Sequence, residues 1–324
     1  MLAVVPASDL SPRALDGLTI AVIGYGAQGA AQALNLRDEG HTVIIGLHRG
    51  ARRRPAAVAD GFAVSDVNDV AARADIVLLL APDEAHGTLY HDEIALHLKP
   101  GGVLVVGHGF SLLNGLVQPL AHHDAVLVAP KGQGRAVRSL YQAGKGVSAL
   151  FAVHQDPSGL GRARGLAIAA GIGAARARVF ETTVRDECET DLFGEQAVLC
   201  GGLYALIETA FETLVDAGYP AELAYFECIH ELKLITDLIY DLGPAAVSER
   251  ISNTAEFGAT TVRAEIAAKL KPVMIAIVQR IQAGTFADGF MQDAANGFPT
   301  LKAQRARDAA HPLEAAGRIV RGEL

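Results

Sequence analysis

A short apolar run, Leu18-Thr-Ile-Ala-Val-Ile23, leads into Gly24-Tyr25-Gly26-Ala27-Gln28-Gly29, and a helical pattern then runs through Ala30, Ala33, Leu34 and Leu36 to Gly40. Strand, G-x-G-x-x-G and helix in that order is the context a dinucleotide-binding turn requires. The first glycine makes the tight turn, the second admits the pyrophosphate, and the third lets helix and strand pack closely. The helix N-terminus supplies donors and a positive dipole end to the phosphates. Further short apolar runs follow at Thr42–Ile45, Ile76–Leu80, Gly102–Val106 and Ala125–Ala129, with helical or loop segments between them. Such continuous runs fit a parallel sheet covered on both faces. A β-prone segment at Val147–Val153, a helix from Leu160 to Ala170 and an edge strand at Ala177–Phe180 complete this part.

From Glu181 onward β-branched runs give way to helical periodicity. Helices are expected near 189–217, 221–241, 245–256 and 262–283, with breaks at Gly218-Tyr-Pro220 and Gly243-Pro244 and short helices in the last forty residues. The expected fold class is therefore an α/β Rossmann-type N-terminal domain over residues 1–182, followed by an all-α domain over residues 183–324. The 324-residue length accommodates two full cores.

Ligands of open α/β sheets bind beyond the C-terminal ends of the strands. Those ends carry Gly46-Leu-His-Arg-Gly-Ala-Arg-Arg-Arg54, Ala81-Pro-Asp-Glu84, Gly107-His-Gly-Phe110 and Pro130-Lys-Gly-Gln-Gly134. The expected cofactor set is Gly24, Tyr25, Gly26, Ala27, Gln28 and Gly29 of the turn, with His48, Arg49, Arg53, Asp83 and Gly134. No acid stands after the second strand to take the ribose hydroxyls. Arg49, Arg52, Arg53 and Arg54 stand there instead and suit a 2′-phosphate, which points to NADPH. His108 and Lys131 each follow a strand of the same sheet and face the crevice in this reading.

In the helical part, Asp191 and Glu195 stand four apart beside Leu192, Phe193 and Val198; Glu227 and Glu231 repeat the spacing beside Phe226, Ile229 and Leu234. Residues four apart share one helix face. Carboxylates among apolar neighbours, if buried, must be protonated, paired or metal-bound. Four of them make a hard oxygen donor set, with magnesium favoured because no His/Cys cluster accompanies them. Solvated or ion-paired surface acids are the alternative.

The net charge of −8 argues against a nucleic-acid partner. No unbroken apolar stretch reaches the ~18 residues of a membrane span, and no basic region precedes the first apolar run. Cys188, Cys200 and Cys228 lack ligand spacing and read as reduced thiols. The expectation is a soluble cytoplasmic protein with a small-molecule substrate.

Beyond the G-x-G-x-x-G turn, His108-Gly-Phe110, Ala129-Pro-Lys-Gly132, Glu181-Thr-Thr183 and Glu189-Thr-Asp-Leu-Phe-Gly-Glu-Gln-Ala-Val-Leu-Cys-Gly-Gly202 resemble ketol-acid reductoisomerase. So do Phe211–Tyr219, Ala224–Ile235 and Ile251–Glu256, and the likeness runs from about Leu18 to Phe286, with the length of the short-form enzymes. The resemblance implies magnesium-dependent alkyl migration in 2-acetolactate or 2-aceto-2-hydroxybutyrate, then reduction by NADPH, in branched-chain amino-acid synthesis. It implies two ions, with Asp191 bridging them, Glu195 on one, and Glu227 and Glu231 on the other. His108, Lys131 and Glu231 are the implied catalytic residues, and Ser252 binds the substrate carboxylate or, alternatively, caps a helix. It also implies a homodimer in which the carboxylate pairs meet across subunits, with higher assembly left open. An αα-hairpin within one chain is the alternative for their meeting. The chain departs from the family at Gln133, Arg135, Ser111–Asn114 and after Glu256, and it has no tryptophan. Those departures bear on substrate choice. A metal-independent 3-hydroxyacid-type dehydrogenase and a non-catalytic NADP-binding regulator share the two-part layout.

Overall fold

The computed structural model describes residues 2–323. Contacts divide the chain into two compact units, the first ending at Cys188 and the second beginning at Glu189.

The first unit is built on nine strands: β1 (Ala3–Val4), β2 (Thr19–Ile23), β3 (Thr42–Gly46), β4 (Ala63–Ser65), β5 (Ile76–Leu79), β6 (Val103–Val106), β7 (Asp124–Pro130), β8 (Ala149–Gln155) and β9 (Val179–Glu181). Their order is β1-β9-β8-β7-β6-β5-β2-β3-β4. From β4 to β7 every pairing is parallel, in registers such as Ile23↔Gly46 and Ile23↔Leu79. Strand order reverses between β3 and β5, both of which pair with β2. The G-x-G-x-x-G turn leaves the C-terminal end of β2 at that switch point, where such sheets bind ligands.

The sheet is not parallel throughout. β8 runs antiparallel to β7, and β1 antiparallel to β9. The short β1 and β4 carry too few apolar residues to stand out in the sequence. Strands β5 and β6 are buried at every position because helices cover both faces. Ala33, Leu36, Leu166 and Ile168 pack on Ile20, Val22, Leu78 and Val105. On the other face Val67, Val70, Tyr90 and Ile94 cover Ala21, Ile23, Val77 and Val106. Each fully buried Val, Leu or Ile contributes roughly 1.5–3 kcal/mol, so this core fixes the strand ends that carry the candidate site.

The second unit is helical: Gly201–Asp216, Ala221–Tyr225, Glu231–Leu242, Pro244–Ser248, Asn253–Gln282, Thr285–Ala295, Pro299–Ala310 and Pro312–Val320. Gly218 and Gly243, both at positive φ, end helices where the sequence indicated. The expected gap between residues 256 and 262 is absent, and one helix runs unbroken from Asn253 to Gln282. Gly258, Thr260 and Thr261 are weak helix formers. Here the two threonine hydroxyls donate back to the Glu256 and Gly258 carbonyls, which keeps the turn helical.

The core of this unit is small, centred on Phe211, Ala224, Tyr225 and Ala316. Arg321 donates to the Tyr225 hydroxyl at 2.9 Å, and Gly317 lies so close to the Tyr225 ring that a Cβ there would stand 2.7 Å from it. Much apolar surface is left over: Leu199, Tyr204, Leu206, Leu234, Tyr240, Phe257 and Val273 are all exposed. The stretch Val184–Asp216, helical almost throughout, is long and apolar enough to cross a membrane by length and composition alone.

Candidate active site

The glycines of the dinucleotide turn are held by close backbone approach. Gly24 has φ 98°, and a Cβ there would lie 2.7 Å from the Leu80 carbonyl and the Ala81 nitrogen. A Cβ on Gly29 would lie 2.2 Å from the Gly24 carbonyl oxygen, whereas Gly26 faces open space. The turn is thus tight beneath and open above, where a pyrophosphate would approach the N-terminus of the helix Ala27–Asp38. Gly134 packs against the same turn, its Cβ position 2.2 Å from the Ala27 carbonyl oxygen, and Gln28 Nε2 donates to the Gly132 carbonyl at 2.8 Å. These contacts join the loops after β2 and β7.

The Tyr25 side chain is committed to the protein interior. Its ring meets Phe62 edge-on at 5.9 Å, and its hydroxyl donates to Asp60 at 2.7 Å. Burial and the Asp60 hydrogen bond raise its pKa well above the usual tyrosine range. Only its backbone remains available to the phosphates.

The arginine loop divides. Arg54 donates to the carbonyls of Leu47 and Val64, at 2.6 and 3.1 Å, and so braces the loop against β4. Arg52 and Arg53 are exposed. Arg49 is also exposed, with its Nε 3.4 Å from Asp66. An acid therefore does stand in this loop, delivered from the end of β4, which sequence order alone did not reveal. His48 is exposed beside Glu93 at 3.6 Å, and Asp83 lies 3.7 Å from His86.

At the C-terminal ends of β6 and β7 the structure brings His108 and Lys131 onto one carboxylate. Glu187, only 1% exposed, accepts from Lys131 Nζ at 2.9 Å and from the Gly109 backbone N–H at 2.9 Å, with His108 Nδ1 3.3 Å away. Burial by itself would lower the His108 pKa. The neighbouring Cys188 and the Glu187 carboxylate, ion-paired at 3.3 Å, outweigh it, and the imidazole is pushed up to about 11. Burial likewise tends to raise the Glu187 pKa, but His108 and Lys131 hold it below the usual carboxylate range. The cluster is thus two proton-bearing cations fixed on one buried anion.

Glu187 was not among the expected site residues. Its signal lay in the spacing, since Glu187, Asp191 and Glu195 continue one four-residue series. His86 was missed too. It is buried, with Nε2 2.9 Å from the Ala81 carbonyl and Nδ1 3.0 Å from Ser111 Oγ. The carbonyl can only accept, so Nε2 carries the proton and the Ser111 hydroxyl donates to Nδ1. Burial lowers the His86 pKa, which keeps it in this neutral role. The pair ties the loop after β5 to the His108 loop.

In the second unit, Asp191 is half-buried, while Glu195, Glu227 and Glu231 are exposed in a single chain. Burial of all four, inferred from their apolar neighbours, is corrected here. The neighbours Val198, Leu199, Phe226 and Leu234 are themselves exposed, because no described residue of the unit covers these helix faces. Glu227 and Glu231 open onto a cleft of about 450 Å³ walled by Leu206, Ile235, Ile251 and Ala255. Among the described residues, no three of the four carboxylates gather at ligand distance.

Ser252 precedes the helix Asn253–Gln282, and its Oγ accepts from the Ala255 N–H at 3.2 Å, an N-cap. As an acceptor in that bond it keeps its hydroxyl proton for a ligand. As for fit, the four carboxylates form an all-oxygen, hard-donor set of the kind that suits magnesium.

Comparison with known proteins follows the same division. Residues 14–178 match the family described as acetohydroxy acid isomeroreductase, NADPH-binding domain, and residues 184–324 match ketol-acid reductoisomerase, C-terminal domain. Among solved structures, an NADH-preferring ketol-acid reductoisomerase from an uncultured archean is 40% identical, with TM-score 0.96 over 99% of each chain. A putative oxidoreductase from Jannaschia sp. CCS1 is 19% identical, with TM-score 0.58 over 81% of this chain and 98% of that one. A semialdehyde dehydrogenase NAD-binding protein from Cupriavidus necator is 20% identical, with TM-score 0.59 over 82% and 99%. The last two share the fold.

Proposed function

The chain belongs to the ketol-acid reductoisomerase family, and from that premise we propose that it isomerises 2-acetolactate and 2-aceto-2-hydroxybutyrate with magnesium and reduces the products with NADPH to 2,3-dihydroxy acids. The observation that carries this reading furthest is the pair of cations, His108 and Lys131, anchored on buried Glu187 at the sheet edge that bears the dinucleotide turn.

Alkyl migration between adjacent carbons needs the tertiary hydroxyl's proton taken off as the neighbouring carbonyl is polarised. That proton is returned to the former carbonyl oxygen, which becomes an alkoxide, so migration is proton-neutral and only the hydride reduction consumes a further proton. Two magnesium ions, held by Asp191, Glu195, Glu227 and Glu231, supply Lewis-acid polarisation and orientation of the substrate oxygens. Lys131 and His108 present fixed positive charge and protons to oxygen atoms that gain negative charge during migration and reduction. Glu187 holds both in place and keeps both protonated. The open face above Gly26 receives the pyrophosphate, and Ser252 donates its hydroxyl proton to the substrate carboxylate.

Two features bear on the cofactor. Exposed Arg49 and Arg53 suit a 2′-phosphate, in keeping with the match to an NADPH-binding domain. Asp66 competes for Arg49 and suits ribose hydroxyls, and one relative at 40% identity is NADH-preferring. NADPH is the reading we adopt.

For assembly, we propose a homodimer in which the carboxylate pair of one chain completes that of the other. The exposed apolar helix faces that carry the two pairs support it. The deciding experiment is a coupled assay of NADPH oxidation with 2-acetolactate, with and without magnesium. Turnover that survives EDTA would favour a metal-independent dehydrogenase, and NADPH binding without turnover would favour a regulator.

A further inference from the structure

We infer that Gly201 and Gly202 are positioning residues for the carboxylate pair Asp191 and Glu195, by holding open a widened helical turn between that pair and the helix Gly201–Asp216. The inference rests on the magnesium reading above and adds to it the device that aims half of the site.

The helix Val184–Gly194 does not continue directly into Gly201–Asp216. Between them Glu195–Leu199 forms a π-turn, in which the Cys200 N–H donates to the Glu195 carbonyl, five residues back, at 2.9 Å. A π-turn is one residue inserted into an α-helix, and such turns recur at functional sites. Here the turn begins on a proposed metal ligand. The other pair has the same device: Phe226–His230 is a π-turn that contains Glu227 and closes on Glu231.

The two glycines are what the first turn requires. A Cβ on Gly201 would stand 2.2 Å from the Gln196 carbonyl oxygen, and one on Gly202 would stand 2.0 Å from the Ala197 carbonyl oxygen. Both obstacles are backbone atoms five residues earlier, so no rotamer change relieves them. Neither glycine has positive φ among the described residues, so close approach rather than backbone conformation demands them. Adjacent glycines inside a helix are otherwise unfavourable, which leaves the widened turn as their explanation.

The consequence is azimuthal. Each helical residue turns the chain by about 100°. The inserted residue therefore rotates Asp191 and Glu195 by about 100° relative to the helix whose Leu206, Ile207 and Ala210 wall the Glu227–Glu231 cleft. Closing the turn swings the first carboxylate pair off that alignment and leaves the dinucleotide turn untouched.

The test is calorimetric titration of magnesium into the purified full-length chain, with NADPH binding followed by fluorescence in parallel. The variants are Gly201→Ala, Gly202→Ala, a deletion of Cys200 that closes the turn without adding atoms, and Asp191→Asn. Magnesium affinity is expected to fall about 10- to 100-fold in both alanine variants and in the deletion, while NADPH affinity stays at the wild-type value. If an alanine variant loses NADPH binding through misfolding, the deletion variant decides. Wild-type magnesium affinity in the glycine and deletion variants, with loss in Asp191→Asn, overturns the positioning role alone. Wild-type affinity in Asp191→Asn overturns the metal assignment, and the positioning role falls with it.

Discussion

Lys131 Nζ sits 2.9 Å from Glu187 Oε1, and it is this buried carboxylate that joins the loops after β6 and β7 to the helix Val184–Gly194. Two residues from separate strand ends, His108 and Lys131, become one functional group because a third holds both.

Removing that anion should release both cations. Glu187→Gln is expected to lower turnover of 2-acetolactate roughly 100-fold or more. Breaking a buried charge pair also destabilises by about 3–5 kcal/mol, so the assay is run well below the melting temperature. Turnover within twofold of wild type would remove Glu187 from the mechanism.

The same cluster has a pH signature. The His108 pKa is raised in the folded state, to about 11, above its unfolded value near 6.5. Its contribution to stability is therefore fully present below about pH 6.5 and is lost as pH rises through 11. NMR titration should find the His108 ring still protonated at pH 8 in the wild type. In Glu187→Gln the midpoint should fall, and stability should decline less steeply between neutral and alkaline pH.

Magnesium dependence and assembly are tested together. Asp191→Asn and Glu227→Gln should each abolish isomerisation, while reduction of an already isomerised 2-keto acid suffers less. Purified heterodimers of the two variants should regain about half the wild-type activity, one intact site of two. Inactive heterodimers would refute the shared site, as would a fully active monomer on sizing.

For the cofactor, replacing Arg49 and Arg53 together should raise the NADPH Michaelis constant and leave that of NADH nearly unchanged, since charge-assisted contacts contribute about 1.5–3 kcal/mol each. Asp66→Asn should shift preference further toward NADPH by releasing Arg49 from its ion pair. Equal use of both cofactors by the unaltered protein would contradict the loop's assigned role.

Ser252 serves as a helix cap and, in our reading, as a carboxylate donor. Ser252→Ala should cost about 0.5–2 kcal/mol of stability through the lost cap. If the hydroxyl also binds substrate, the Michaelis constant for 2-acetolactate rises while that for NADPH does not. A stability change with both constants unaltered would leave the cap as its whole role.

The sequence by itself determined the dinucleotide turn, the strands β2, β3, β5, β6 and β7, the helical second half and the identity of the carboxylate pairs. Each of these depends on local pattern: apolar runs, glycines at fixed offsets, acids four apart on a helix. Only the tertiary structure decided the rest. The acid in the cofactor loop came from β4, because parallel pairing sets Ser65 beside Gly46 and brings Asp66 to Arg49. Glu187 became the anchor of His108 and Lys131 because the folding of three distant segments buried it between two cations. Tyr25 keeps only its backbone for a dinucleotide, because its hydroxyl is held by Asp60. Glu195, Glu227 and Glu231 proved exposed in a single chain and Asp191 only half-buried, since a helix pattern tells which residues share a face but not what covers that face.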